Sequence, residues 1–507
     1  MIIGNQITGI GDFQQILFHD EKVEIANDTL LKVKRCYDFL QEFCEGKVIY
    51  GINTGFGPMA PYRINKRHQK ELQYNLIRSH ASGSGNPLPP VYIKSLMLSR
   101  LNTLLLGYSG VHPSVIILLK DMINADILPL VFEHGGVGAS GDLVQLAHLS
   151  LGLIGEGECY YKGSITETKL ALQAENLQAA EIYIREGLGI MNGTSAMCGI
   201  GMINLMYAHK LTELSILLSC MMNEIVRSFS DHFSEELNHA KLHQGQRNVA
   251  KRMRENLADS KLIRTRQEHM YSGMEESSEI IEDKVQEYYS LRCVPQILGP
   301  VTETLESAIQ VLENEINSAN DNPVIDPETK NVYHGGNFHG DYPALEMDKI
   351  RIAITKLSML SERQINYLMN HKLNNILPPF ANLGKLGLNF GMQGVQFTAV
   401  STTAENQTLS NPMYIHSIPN NNDNQDIVSM GSNAAWLTKK VIDNTFEVLA
   451  IQAMCLVQAI DYLKCENMLS AASRKFYQEI RTIFPVFKED EPKYKAIKKI
   501  TEQLKNI

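Results

Sequence analysis

The sequence predicts a mainly α-helical protein, with a mixed N-terminal domain over residues 1–190 and a bundle of long helices over residues 191–507. Three observations predict it. A chain of 507 residues with 44% hydrophobic content can bury a large core. Beyond about residue 190, apolar residues recur at three- and four-residue spacing, as in Leu345, Ile350, Ile354, Leu357 and Leu360. Strand signals nearly vanish from the same stretch. Long helices bury each other's apolar faces, so a bundle is the natural arrangement. Apolar residues on more than one face further predict burial against other subunits, and so an oligomer.

In the N-terminal part, a helix is expected over about 28–45 with Asp28 as its N-cap. The loop "YGINTGFGPMAPYR" follows, then helices at about 66–80 and 90–107 and another over "PSVIILLKDMINAD". "LPLVFEH" reads as a short strand and "CYYKGSIT" as a small hairpin. Thr194 to Ser228 then reads as one helix of 35 residues, about 52 Å long at about 1.5 Å per residue. Similar runs cover about 296–318, 344–372 and 428–463. The loops between them, "SANDNP", "HGGNFHGDY" and "SIPNNNDNQD", are rich in polar residues and glycine. Such loops either carry function or are merely solvated.

Charge and cysteine usage bound the partners. The net charge of −9, without a basic block beyond "KYKAIKKI", argues against nucleic acid and anionic membranes. No run of about 18 consecutive apolar residues marks a membrane span. The start, "MIIGNQITGIGDF", lacks a positive region ahead of an apolar run, so no secretory signal is visible. The eight cysteines stand singly, which predicts reduced thiols in a cytoplasmic protein. His334 and His339 share a loop, but no third ligand accompanies them and no metal is expected.

Residues 135–143, "GGVGASGDL", admit three readings. Gly136-Val-Gly138-Ala-Ser-Gly141 fits a dinucleotide-binding glycine motif, with Glu156 or Glu158 at the distance of a ribose contact. The strands that should continue a βαβ series are missing. A plain tight turn explains the glycines alone. The third reading is chemical. The amide nitrogen of Gly141 can attack the carbonyl carbon of Ala139 and close a five-membered ring, because glycine permits close approach and strained angles. Loss of that water leaves an imidazolone, and loss of a second from Ser140 leaves an exocyclic methylidene, an electrophile made with no external cofactor.

"YGINTGFGPMA", "GGVGASGDLVQLAHL", "GIMNGTSAM", "QEYYSLRCVPQ", "SANDNP" and "NQDIVSMG" together resemble the aromatic amino acid ammonia-lyase family, in the family's order and over residues 50 to 431. The closest likeness is to bacterial tyrosine ammonia-lyases. The resemblance implies that Ala139, Ser140 and Gly141 become 4-methylidene-imidazol-5-one. It also implies a mainly helical homotetramer whose active sites each draw on three subunits. Tyr50 matches the base that takes the β-proton and Tyr289 a tyrosine beside the ring. Arg292 matches the arginine that binds the substrate carboxylate. Asn192 would bond the ring carbonyl and the substrate, Asn322 would hold the carboxylate or the ring, and Phe338 would pack nearby.

Ser79 and His80 match the family's selectivity pair, which is apolar in phenylalanine-using members and contains histidine in tyrosine- and histidine-using ones. Gln425 stands where histidine-using members carry glutamate. The resemblance thus implies deamination of L-tyrosine to p-coumarate and ammonia. Histidine ammonia-lyase and tyrosine 2,3-aminomutase are the alternatives.

Overall fold

The computed structural model describes residues 1–271, 281 and 284–506. The chain is mainly helical and forms two compact units. The first unit combines residues 1–206, 308–348 and 412–439; the second combines 207–307, 349–411 and 440–507.

The strands described all fall in the first unit and are short. Leu128–Pro129, Glu158–Tyr161 and Ser164–Glu167 form an antiparallel sheet, the last two being the expected hairpin. Ser84–Pro87 pairs antiparallel with Phe132–His134, Ser84 opposite His134. "LPLVFEH" is therefore two strands joined to different partners. The parallel pairing among described strands is the two-residue ladder of Ile2–Ile3 with Glu24–Ile25. A dinucleotide fold requires parallel strands around the glycine run, so that reading fails. Glu156, its candidate ribose ligand, instead pairs with Arg78 at 2.6 Å.

At the centre of this unit, helix Pro90–Leu105 is buried on every face, with Ile93, Leu96, Met97, Leu101 and Leu104 fully enclosed. Each such side chain contributes about 1.5–3 kcal/mol through burial. The first expected helix runs Asn27–Phe43. Its N-cap is Ala26 and Asp28 lies inside the first turn. Asp28 is thus no cap, though its charge still complements the helix N-terminus.

The long helices are Ser195–Ile225, Val294–Ile316, Asp341–Met369 and Gly431–Leu463. The first has 31 residues rather than 35. Ile350, Ile354, Leu357 and Leu360 are buried as the periodicity predicts, but Leu345 is 39% exposed. Ala344 and Met347 are buried at that end, together with Glu346 and Asp348. Within the second unit a buried polar ladder ties three of these helices. Gln364 Nε2 donates to Ser219 Oγ at 3.0 Å and Gln452 Nε2 donates to Gln364 Oε1 at 2.6 Å. Paired in this way, the buried amides avoid the cost of an unmet hydrogen bond. Gly431–Leu463 is long and apolar enough to cross a bilayer, but most of that stretch is buried within the protein.

Candidate active site

The glycine run wraps around the start of a helix. Gly141 has φ +72°, and a Cβ there would meet Gly193 O at 2.1 Å. Gly138 has φ +74°, and its Cβ would meet Ser429 Oγ at 2.1 Å. No other residue type fits either place, because the left-handed backbone and the contact each exclude a side chain. On one side, Asp142 N donates to Gly193 O at 2.8 Å and Asn192 Nδ2 donates to Ser140 O at 2.8 Å. On the other, Ser429 Oγ donates to Gly138 O at 3.1 Å and Met430 N to Val137 O at 3.0 Å. Gln425 Nε2 donates to Ser140 Oγ at 2.7 Å. Ala139 to Gly141 are thus gripped from both sides in a bent conformation.

Asp142 anchors the run. Its Oδ2 accepts the Ala196 and Met197 amides, each at 2.8 Å, which belong to the first turn of helix Ser195–Ile225. Its Oδ1 accepts from Ser432 Oγ. Burial pushes the Asp142 carboxyl up to about 6, against the pull of these donors. Asp142→Ala is expected to lower stability by about 3 kcal/mol, since each buried donor left without an acceptor costs about 1–3 kcal/mol. Asp142→Asn keeps one acceptor oxygen and should cost much less. Thermal unfolding of the two variants checks this; equal midpoints would refute the anchoring role.

A cavity of about 720 Å³ in the first unit opens on this loop. Tyr50, Ser79, His80, Ala139, Ser140, Asn192, Asn322, Phe338 and Gln425 all line it. Its walls are largely apolar, with Phe56, Leu72, Leu76, Leu143 and Leu188 among them. Tyr50 comes from the loop before helix Gln69–His80. Its ring stands edge-on to Phe56 at 6.2 Å, and its hydroxyl accepts from the Gly57 amide at 2.9 Å. A backbone donor therefore sits at the oxygen that carries negative charge whenever the phenol has given up its proton.

Ser79 and His80 end helix Gln69–His80. His80 Nδ1 lies 3.0 Å from Leu76 O and 3.0 Å from Ser79 Oγ. A carbonyl only accepts, so Nδ1 carries the proton and Nε2 of the neutral ring is an acceptor. That tautomer is set by the helix's own last turn.

Asn322 and Asn192 are linked. The Asn322 amide donates to Asn192 Oδ1 at 2.7 Å, and Asn322 Oδ1 accepts from Gly335 N at 2.8 Å. The preceding residues are buried and paired: Arg185 meets Asp321 at 3.2 Å, and Asn320 accepts from Arg100 at 3.1 Å. "SANDNP" is therefore a fixed support and not a solvated loop. His334 Nε2 accepts from the Tyr50 amide at 3.3 Å, and His339 Nδ1 lies 3.4 Å from Asp341.

Tyr289 and Arg292 both belong to the second unit and are not among the residues lining this cavity. Arg292 lies 4.8 Å from the Tyr289 ring centre and donates to Gln286 Oε1 at 2.6 Å. Tyr289 is 71% exposed. Sequence reading passed over Asp142, Ser429, Ser432 and Gly57. Only the fold brings these short polar or backbone groups to the loop and to the Tyr50 hydroxyl.

The chain that forms this cavity is similar to known proteins along most of its length. The model of the family described as aromatic amino acid lyase matches residues 8–482. The chain belongs to the aromatic amino acid lyase family. As a member it is a carbon–nitrogen lyase. It is 39% identical to a histidine ammonia-lyase of Bacillus cytotoxicus over 96% of this chain and 94% of the relative. It is 37% identical to a tyrosine 2,3-aminomutase of Chondromyces crocatus, covering 97% and 93%. The solved tyrosine aminomutase of Streptomyces globisporus superposes with a TM-score of 0.95 at 32% identity, covering 100% and 96%. The expectation of tyrosine as substrate gains no support from these names. More of the similar relatives are called histidine ammonia-lyase than are named for tyrosine.

Proposed function

We propose that the protein eliminates ammonia from an aromatic L-amino acid whose ring carries a hydrogen-bond donor, with Ala139, Ser140 and Gly141 cyclised to methylidene-imidazolone. The observation that carries this is the acceptor Nε2 of His80 in the same cavity as Ser140 and Tyr50. The residues fit the cyclised group. Gly141 takes the left-handed backbone, and Asn192 Nδ2 already sits on the carbonyl that would belong to the ring.

Once formed, the group supplies the electrophile that makes the amine a leaving group. The chain's own side chains do the rest. Tyr50 takes the weakly acidic β-proton, helped by the Gly57 amide. The apolar walls exclude water from that transfer. Gln425 Nε2, engaged by the Ser140 hydroxyl before that hydroxyl leaves, is then released toward the substrate. Arg292 offers two parallel donors to the substrate carboxylate. Since Arg292 and Tyr289 do not line the cavity of their own chain, neighbouring subunits of a homotetramer supply them in this proposal.

Two rings meet the requirement for a donor. Histidine is favoured by the names of the similar relatives and by the Asp426 carboxylate in the cavity lining, a partner for an imidazole N–H. Tyrosine is favoured by the neutral amide of Gln425, where the resemblance places glutamate in histidine-using members. Phenylalanine leaves His80 unpaired and is disfavoured by either reading.

Product analysis on histidine, tyrosine and phenylalanine side by side is the test. Urocanate supports the first ring and p-coumarate the second; a β-amino acid product overturns the lyase reading in favour of an aminomutase. His80→Phe should shift relative kcat/KM toward phenylalanine by about tenfold or more. An unchanged ratio would remove His80 from the recognition of the ring.

A further inference from the structure

The chain leaves helix Gln69–His80 through three amides. Those of Ala81 and Ser82 are met locally, by Ile77 O at 3.1 Å and His80 O at 2.8 Å. The third, Gly83 N, donates to His148 Nε2 at 3.0 Å. His148 lies on helix Leu143–Leu153, which begins two residues after Gly141. One imidazole thus ties the segment after the selectivity pair to the helix that grows out of the Ala-Ser-Gly loop.

Several observations show the tie to be built in. A Cβ at Gly83 would meet His148 Nε2 at 3.0 Å and Phe132 Cβ at 3.1 Å, so glycine is what lets the amide reach the ring. Phe132 stands edge-on to the His148 ring at 5.0 Å and limits its rotation. The next residue, Ser84, enters the ladder opposite His134. Because the amide donates, Nε2 must hold a lone pair, which fixes the neutral form with its proton on Nδ1. Partial burial favours the same neutral form. His148 is not among the residues lining the cavity, so it does not meet the substrate.

We propose that His148 is a specificity-positioning residue: its Nε2 holds the Gly83 amide and so sets where His80 meets the far edge of the substrate ring. This rests on the reading of His80 as the acceptor for the ring's donor. The physical ground is placement. A hydrogen bond to a ring discriminates only while its acceptor is held within a few tenths of an ångström of the right distance. His80 is the last residue of its helix, and Gly83 is the next point at which the chain is fastened to another element.

The test compares His148→Leu, His148→Gln and His80→Phe for kcat and KM on tyrosine, histidine and phenylalanine, with the intact mass of each protein. His148→Leu is expected to keep the mass deficit of two waters and to lose roughly tenfold in preference for the better polar ring over phenylalanine, the usual worth of one hydrogen bond. The loss should appear in KM for that polar substrate. His148→Gln presents an amide oxygen to Gly83 and should recover most of the preference. Equal losses on all three substrates, or an unchanged ratio, would overturn the proposal, as would loss of the mass deficit. Should His148→Leu fail to fold, His148→Asn takes its place. A preference below that of the glutamine variant supports the proposal and an equal one overturns it. An unchanged ratio in His80→Phe is the separate sign that the reading of His80 has failed.

Discussion

Ser140→Ala is expected to fold, to show the full mass of its sequence and to turn over no aromatic amino acid. In the proposed cyclisation the hydroxyl of Ser140 is the oxygen whose loss creates the methylidene carbon, and alanine has nothing to lose. The fold should survive because the loop is held by its backbone. Asn192 grips the Ser140 carbonyl, Asp142 N meets Gly193 O, and Met430 N meets Val137 O. The one side-chain bond removed is that from Gln425 to Ser140 Oγ, worth about 1 kcal/mol. The rate should fall to background, a loss of the order of 10⁶-fold or more for an enzyme of ordinary power. Intact mass spectrometry and a product assay read the two effects together. A variant that deaminates at a fraction of the normal rate would remove the cyclised tripeptide from the reaction.

Tyr50→Phe should also be nearly inactive, but with the mass deficit of two waters intact. Phenylalanine keeps the edge-on packing against Phe56 and removes only the oxygen that accepts from Gly57 N. General-base catalysis ordinarily contributes about 10²–10⁴-fold. The fall belongs in kcat, since binding of the ring and carboxylate is left to other residues. The pair of variants separates making the electrophile from using it: Ser140→Ala loses both, Tyr50→Phe only the second. Retention of kcat within a few-fold in Tyr50→Phe would send the search for the base elsewhere in the cavity.

Much of the architecture could be read from spacing. The four long helices appear within a few residues of their expected bounds, because periods of three and four register one apolar stripe per helix. The ends drifted, as with Asp28 and the helix that starts at Asn27, since a cap depends on one local bond that propensity does not resolve. Leu345 failed for another reason. It continues the stripe in sequence, yet at the start of helix Asp341–Met369 the buried positions are Ala344, Glu346, Met347 and Asp348, and Leu345 faces outward.

The site was legible where backbone chemistry dictates residue type and illegible where packing supplies the partner. Four glycines around an alanine and a serine announce a strained loop at positions 135 to 141. Nothing in "VSMGS" announces that Ser429 and Ser432 will clasp it, or that the Gly57 amide will reach Tyr50. Gln425, expected at the substrate ring, rests on the Ser140 hydroxyl. Arg292 and Tyr289 carry motif residues as plain as Tyr50, yet they lie in the other unit.

The amino-acid order alone determined the helical class and the run able to cyclise, whereas the residues proposed as base, carboxylate-binding arginine and selectivity pair were indicated by resemblance to the family. The class and the run follow from local stereochemistry and periodicity, which need only near neighbours. The tertiary structure decided which of these groups share one cavity and which donors sit on Ser140. Those are contacts between segments as distant as Ser140 and Gln425, and only the burial of whole helices against one another brings such segments within hydrogen-bonding distance.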